Sequence, residues 1–478
     1  MQDGGWFTAS IGQSKRKNSH FYSSPMSNRV VITGTGWITP LGHDVESVWA
    51  RLLKGESGIG RVSHFDASTF KTNFAGEVTG YDLSRYLGAS AAKHKDAGLS
   101  TTFALGAAAQ AFKQAGLDAL AASGKLSRRR FGLYFGAGEG TLDFDNYAIS
   151  NVAGWNDAAD GGRGAFDAAR WARAAYKHMT AVREIEQEPQ MTLSHVASAF
   201  GCRGPASNCM TACAASTQAV GEAFEIIRHG DADIMFAGGA HSMIHPLGMT
   251  GFIRLTAMSR MNDDPTHASR PFDRTRGGFV MGEGAGMVVL ERLDHALARG
   301  AKPLCEIAGY GSTADAFRIT DIQPEGKGAQ GAMLAACRQA GINPRELLAD
   351  GRVPVQYISA HGTGTKENDS IETRAVKGVF GPLAPKVPFS SVKSMLGHLI
   401  QAAGAVELIT CVKAIQTGWL PPTMNLMHPD PDCDLDHIPN AARDCRAADG
   451  SSRVDACLSN SFGFGGQNDT VCVRRYVA

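Results

Sequence analysis

The sequence predicts an α/β protein made by duplicating one strand–helix–strand unit, and three observations predict it. First, apolar runs that end in glycines occur in matched pairs. "RVVITGTGWITP" opens the ordered part and "LCEIAGYGSTAD" repeats it near residue 304, while "RRFGLYFGAGEG" (129–140) is matched by "VPVQYISAHGTGT" (353–365). Second, "NCMTACAASTQAVGEAFEIIRHGDADIMFAGG" and "VPFSSVKSMLGHLIQAAGAVELITCVKAIQTG" share an order of parts: short strand, turn, long helix, then Gly230 or Gly418 where a C-cap belongs. Third, these two helices are apolar almost all round, so they belong inside a layered structure and not on its surface. The join falls near Arg299 to Pro303, which gives a first half over 26–300 and a second over 301–478.

Taken in chain order, the first 25 residues are polar and rich in Ser and Gly, with a short basic run from Lys15 to Lys17. They lack the apolar stretch of a secretory signal and predict a disordered tail. "GTGWIT" lacks the third glycine and downstream acid of a dinucleotide fingerprint, and reads as a tight turn after a buried strand. Superposing the halves places Cys213 and His398 at the same kind of position, the start of a central helix, where residues from two halves can meet near the axis of the duplication.

Composition bounds the function. With 478 residues, 43% of them hydrophobic, the chain can build two core-bearing halves. A net charge of +1 gives no basis for nucleic acid or an anionic membrane as main partner. No apolar run reaches the length of a membrane span. The ten cysteines are scattered through apolar segments without CxxC pairs, a pattern of reduced thiols in a cytoplasmic protein without a zinc site.

Four groups of residues carry chemistry. Cys213 stands where "SNCMTA" gives way to a helix, so the helix dipole and unpaired N–H groups favour its thiolate. Cys209, next to Met210 on an expected buried strand, reads as packing. Position alone leaves Cys213 open as nucleophile or as inert buried thiol. His361 heads "HGTGT", where Thr363 and Thr365 alternate with glycines that let a ligand approach the backbone. His398 ends "KSMLGH". Lys393, in the same apolar segment, needs a carboxylate partner, with Glu372 preferred and Asp369 second. Finally, "SNSFGFGGQND" sets Phe462 and Phe464 between glycines, a loop suited to an oxyanion site or an aromatic gate.

Together, "TACAAS", "HGTGT", "KSMLGH" and "NSFGFGG" resemble the β-ketoacyl-[acyl carrier protein] synthases, the condensing enzymes of fatty acid and polyketide synthesis, and most closely the elongating type II enzymes. Supporting stretches are "GDADIMFAGGA", "SRPFD", "GFVMGEGAGMVVLE" and "PPTMN", and the likeness runs from about Arg29 to the C-terminus. The resemblance implies a thiolase-like fold of five αβαβα layers and a dimer. It implies that Cys213 takes the acyl chain as a thioester from the 4'-phosphopantetheine of acyl carrier protein. His361 and His398 would then stabilise the enolate formed by decarboxylation of malonyl-carrier protein. The backbone N–H groups of Cys213 and Phe464 would form the oxyanion hole, Thr363 and Thr365 would bind the pantetheine arm, Lys393 and Glu372 would organise the site, and Phe464 with Phe462 would gate it. No bound cofactor or metal is implied. Lys71, Arg254 and Arg260 are candidates for contact with the acidic carrier.

The chain departs from the family between Glu139 and Gln190, so acyl chain length does not carry over. Gln467 stands where threonine is usual. A thiolase would need a second cysteine in the C-terminal glycine loop, which "FGFGG" lacks. An initiating synthase would have asparagine where His398 stands. A non-catalytic chain-length partner in a heterodimer would usually have lost Cys213.

Overall fold

The computed structural model describes residues 28–138, 143–318 and 322–478. The tail expected over 1–25 and residues 139–142 of the divergent segment lie outside the described residues. Ten strands form one mixed sheet: β1 (Val30–Ile38), β2 (Phe131–Gly136), β3 (Ala206–Cys209), β4 (Ile234–His241), β5 (Gly284–Arg292), β6 (Cys305–Ala314), β7 (Tyr357–Ser359), β8 (Phe389–Ser390), β9 (Ala456–Gly463) and β10 (Gln467–Arg474). Their spatial order is β8-β7-β9-β10-β6-β1-β5-β4-β2-β3. Read outward from the central antiparallel β1–β6 pair, strands 1-5-4-2-3 on one side mirror 6-10-9-7-8 on the other. The pairing types mirror as well. β1–β5 and β6–β10 are antiparallel, whereas β2–β4 and β7–β9 are parallel.

Six helices complete the layers: α1 (Leu99–Gln114), α2 (Gln190–Phe200), α3 (Ala215–Arg228), α4 (Lys327–Gln339), α5 (Lys366–Phe380) and α6 (Ala403–Thr417). α3 and α6 pack on each other and touch strands of both halves, so they form the middle layer. α1 with α2 covers the first half of the sheet, and α4 with α5 covers the second. This is the thiolase-like five-layer αβαβα arrangement. α6 is buried continuously from Ala403 to Ile415, as its unbroken apolar run requires.

The glycines of "GTGWIT" do not make the expected turn. Gly34 and Gly36 lie inside β1, where a Cβ would collide with the carbonyls of Ala111 and Ala107 on α1. Gly309 and Gly311 in β6 meet the carbonyls of Ala336 and Ala332 on α4 in the same way. Glycine serves close helix–strand approach here, a use that a local reading mistakes for a turn. Gly418 caps α6 in the left-handed conformation, whereas α3 is capped by His229 with Gly230 following at φ 88°.

The two central helices begin alike. Each follows a short 3-10 turn, Ala212–Ala214 before α3 and Ile400–Ala402 before α6. Each turn opens on a non-glycine residue in the left-handed region, Ala212 at φ 47° and Ile400 at φ 40°. Such a conformation costs a β-branched residue about 1–3 kcal/mol and persists only where packing enforces it. Counted from the helix starts, Cys213 therefore matches Gln401. His398 matches Met210, so the expected equivalence of Cys213 with His398 is corrected by three residues.

Candidate active site

The 3-10 turn places Cys213 at the end of β3 and the head of α3, with its side chain buried. Gly397, at φ 74°, turns the chain so that His398 pairs with Met281 through a β-bridge, its N–H donating to Val280 O at 2.6 Å. His398 Nε2 thereby lies 3.0 Å from Cys213 Sγ. His361 comes from the end of β7, its ring centroid 5.4 Å from that of His398 in an edge-on arrangement. Ligand-type atoms of Cys213, His361 and His398 all lie within 4.8 Å of one another. Phe279 and Phe462 pack edge-on against His398 and His361 at 5.5 and 5.8 Å. One half supplies the sulfur and the other both imidazoles, in a cavity of about 50 Å3 that Ile400, Thr363 and Phe464 also line.

Burial sets the charge states. It pushes the Cys213 thiol up to about 11, against the opposing pull of Lys393 and the Phe464 backbone N–H. The expected thiolate is thus corrected: loss of water outweighs the helix end, and the resting group is a thiol. Burial, followed by the charge of Lys393, holds His361 and His398 well below the usual histidine range, so both rings are neutral at pH 7. Cys209 differs in setting. Its Sγ donates to Ala215 O at 3.2 Å, and burial holds its thiol up near 12. β3 is a half-exposed edge strand and Met210 is 56% exposed, so the buried strand expected there is corrected too.

The partner expected for Lys393 is also corrected. Its ammonium is paired with Glu407 on α6, both side chains 2% exposed, and donates to His361 O at 2.6 Å. Glu372, on α5, instead accepts the backbone N–H groups of His361 at 2.9 Å and Gly362 at 2.8 Å, with Asn460 Nδ2 at 3.3 Å. It anchors the turn beneath His361 and does not meet Lys393. Asp369 accepts from Phe272 N and Gly364 N and faces Arg276 at 3.4 Å. Gly362, at φ 37°, leaves no space for a Cβ beside Ser391, which explains glycine in the middle of "HGTGT". Thr363 and Thr365 share a hydroxyl–hydroxyl hydrogen bond of 3.0 Å, and Thr365 also caps α5.

Glu407 was missed by sequence reasoning, although a lone carboxylate in "AGAVELIT" is as conspicuous as a lone lysine. Phe464 is 38% exposed at the mouth, while Phe462 is buried beside His361. Gln467 begins β10 opposite Gly463. Lys71, Arg254 and Arg260 come together around one open surface cavity of about 310 Å3. Phe70 and Ile253, in the wall of that cavity, pack against the buried apolar cluster that contains Cys213. No helix of the described residues is long and apolar enough to cross a membrane.

A neutral thiol beside a neutral imidazole can load an acyl group on sulfur, and two imidazoles can meet negative charge growing on a second reactant. Set in this doubled five-layer fold, that chamber defines a condensing enzyme of the thiolase-fold class. Comparison with known proteins narrows the class. Residues 27–296 match the β-ketoacyl synthase N-terminal domain and residues 304–427 its C-terminal domain. The chain belongs to the β-ketoacyl synthase family and is an acyltransferase-type condensing enzyme. It is 40% identical over 450 residues to the 3-oxoacyl-[acyl-carrier-protein] synthase 2 of Synechocystis sp., covering 94% of this chain and 98% of that one. Among solved structures, the ishigamide ketosynthase/chain length factor superposes with a TM-score of 0.78 at 32% identity, covering 94% of this chain and all of that one. A ketosynthase solved with its type II PKS acyl-carrier protein and a bound hexaketide gives 0.77 at 31%, with the same coverage.

Proposed function

We propose that this protein is an elongating β-ketoacyl-[acyl carrier protein] synthase that joins malonyl-carrier protein to an acyl chain held on Cys213. The convergence of one sulfur and two imidazoles within 4.8 Å in a buried chamber carries this reading. In the loading step Cys213 Sγ attacks the acyl thioester of the carrier's 4'-phosphopantetheine, and its proton passes to His398 Nε2. The departing pantetheine thiolate takes that proton, which leaves both imidazoles neutral. Malonyl-carrier protein then loses carbon dioxide, and the N–H groups of His361 and of His398, whose neutral ring carries its proton on Nε2 in this step, stabilise the enolate oxygen. The enolate carbon attacks the Cys213 thioester, whose oxygen is held by the N–H groups of Cys213 and Phe464. The carbon–sulfur bond breaks, and the Cys213 thiolate that leaves takes up one proton from solvent, the proton that decarboxylative condensation consumes. Thr363 and Thr365 bind the pantetheine arm, and Phe464 gates the acyl chain. Lys393, neutralised by Glu407, holds the His361 carbonyl, while Glu372 fixes the turn below it. No bound cofactor enters these steps. The reaction is tested by mass spectrometry of the protein after incubation with acyl-carrier protein. A thioester adduct on the Cys213 peptide, discharged when malonyl-carrier protein is added, is expected; an adduct on another residue, or none, defeats the reading.

The Lys71, Arg254 and Arg260 surface is the carrier landing site in this proposal, because an acidic carrier needs positive charge near the mouth. Charge reversal of all three should raise KM for carrier-bound acyl groups about tenfold or more, an effect that shrinks at high salt. Free pantetheine thioesters should be used as well as before. The protein acts as a homodimer. The free edge of β3 can pair with a second copy, and the helices at Phe144–Gly154 and Ala168–His178 expose Val152 and Tyr176 at 77% and 96%. Retention of Cys213 and both histidines argues against a non-catalytic subunit in a heterodimer. All ten cysteines are free thiols, seven of them not counting Cys213 buried, which suits the reducing cytoplasm.

A further inference from the structure

Resting on the condensing reading, we propose that the acyl chain on Cys213 runs past Ile400 into a polar inner pocket formed by His241 and Gln401. The enzyme thereby selects chains that carry a hydroxyl over plain alkyl chains. The chamber at Cys213, about 50 Å3, has no room for a long chain, so a loaded chain has to pass one of its walls. Ile400 is such a wall. Its neighbour Gln401 lines a second, smaller cavity of about 10 Å3, space for a single water, together with Gly138, Thr192, His241 and Ser242.

This second cavity is built for polar contact. His241, the last residue of β4, is 2% exposed and Gln401 7%. His241 Nε2 and Gln401 Oε1 are each fully buried without a hydrogen bond of proper geometry, although the two side chains lie close enough to interact. Burial brings the His241 ring down to about 4, so it faces the cavity as a neutral imidazole. It also lies near enough to His398 for its charge, if it formed, to be felt there. The Gln401 amide is wedged in place, because a Cβ on Gly138 would collide with it and one on Gly239 would lie 2.5 Å from its backbone oxygen.

An alkyl chain entering this space would displace water and strand both polar groups. A hydroxyl can donate to Gln401 Oε1 and exchange a hydrogen bond with the imidazole. Sites built to hydrogen-bond a substrate hydroxyl discriminate strongly against the analogue that lacks it.

The test compares hexanoyl-carrier protein with 3-, 4- and 5-hydroxyhexanoyl-carrier protein on the full-length protein. The kcat/KM for loading Cys213 is read by intact-protein mass spectrometry. At least one hydroxylated chain should load about tenfold or more faster than hexanoyl. Gln401→Met, which keeps length and loses the acceptor, should bring that ratio towards one, chiefly through KM for the hydroxylated chain. His241→Leu should do the same, whereas His241→Gln, which keeps a donor and an acceptor, should retain most of the ratio. A purely structural role would slow both chains alike. The proposal is overturned if the unaltered protein loads hexanoyl as well as every hydroxylated chain, or if the substitutions leave the ratio unmoved. Failure of all four chains to load Cys213 would sink the condensing reading instead.

Discussion

Cys213→Ala is expected to abolish condensation, by at least about 10^4-fold in kcat, because it removes the atom on which the acyl chain waits. Malonyl-carrier protein should nevertheless still lose carbon dioxide. That step calls on the N–H groups of His361 and His398, and neither ring depends on the sulfur for its position. His398 is held by its backbone contacts to Val280 and Gly282, and His361 by the turn on Glu372. Cys213→Gln should show this most clearly, since its amide carbonyl stands near where a thioester carbonyl would lie. The double variant His361→Ala/His398→Ala should lose decarboxylation as well. Removal of each donor should cost about 10^2–10^3-fold. Carbon dioxide release and product formation are measured side by side. Full condensing activity in Cys213→Ala would show the assigned roles to be wrong.

Glu407→Ala is expected to have the largest effect on stability. The substitution leaves the Lys393 ammonium, 2% exposed, with only the His361 carbonyl for company in an apolar layer. Removing one partner of such a pair costs about 3–5 kcal/mol. For a protein of this size that corresponds to a fall in Tm on the order of 3–5 °C. Replacing both residues, Lys393→Met with Glu407→Leu, should restore most of the loss, because two buried charges leave together. Activity should not return with stability, since the His361 carbonyl keeps no donor. Glu372→Ala is the discriminating control. If Lys393 relied on Glu372, the two single carboxylate variants would be equally unstable and Lys393→Met would rescue both. The geometry predicts rescue of Glu407→Ala alone. Thermal unfolding of the five variants decides the matter.

The chemistry-bearing residues were legible because each lies in a short stretch of its own: cysteine before small residues at a helix start, histidine before alternating glycine and threonine, histidine after glycine. The duplication was legible because strands ending in glycine recur. What could not be read is what depends on distance across the fold. The lysine and its carboxylate sit on different elements, and sequence reasoning weighed Glu372 and Asp369 without reaching Glu407. The glycines of β1 were misread because their reason is the carbonyl of a helix some 70 residues further on. The charge state of Cys213 was misread because a helix end is visible in a sequence and the withdrawal of water is not. Nor does the string announce that Ala212 and Ile400 adopt a left-handed backbone, since neither residue type favours it.

Those two matching kinks have a consequence for divergence. Both halves keep the same awkward corner at the mouth of the same buried helix, yet only one corner presents a nucleophile. The corner before α3 carries the sulfur, and the matching corner before α6 carries Ile400 and Gln401, one lining the chamber at Cys213 and the other the cavity at His241. Variation at that second corner can reshape what the enzyme accepts without disturbing the sulfur, so divergence among relatives should concentrate there.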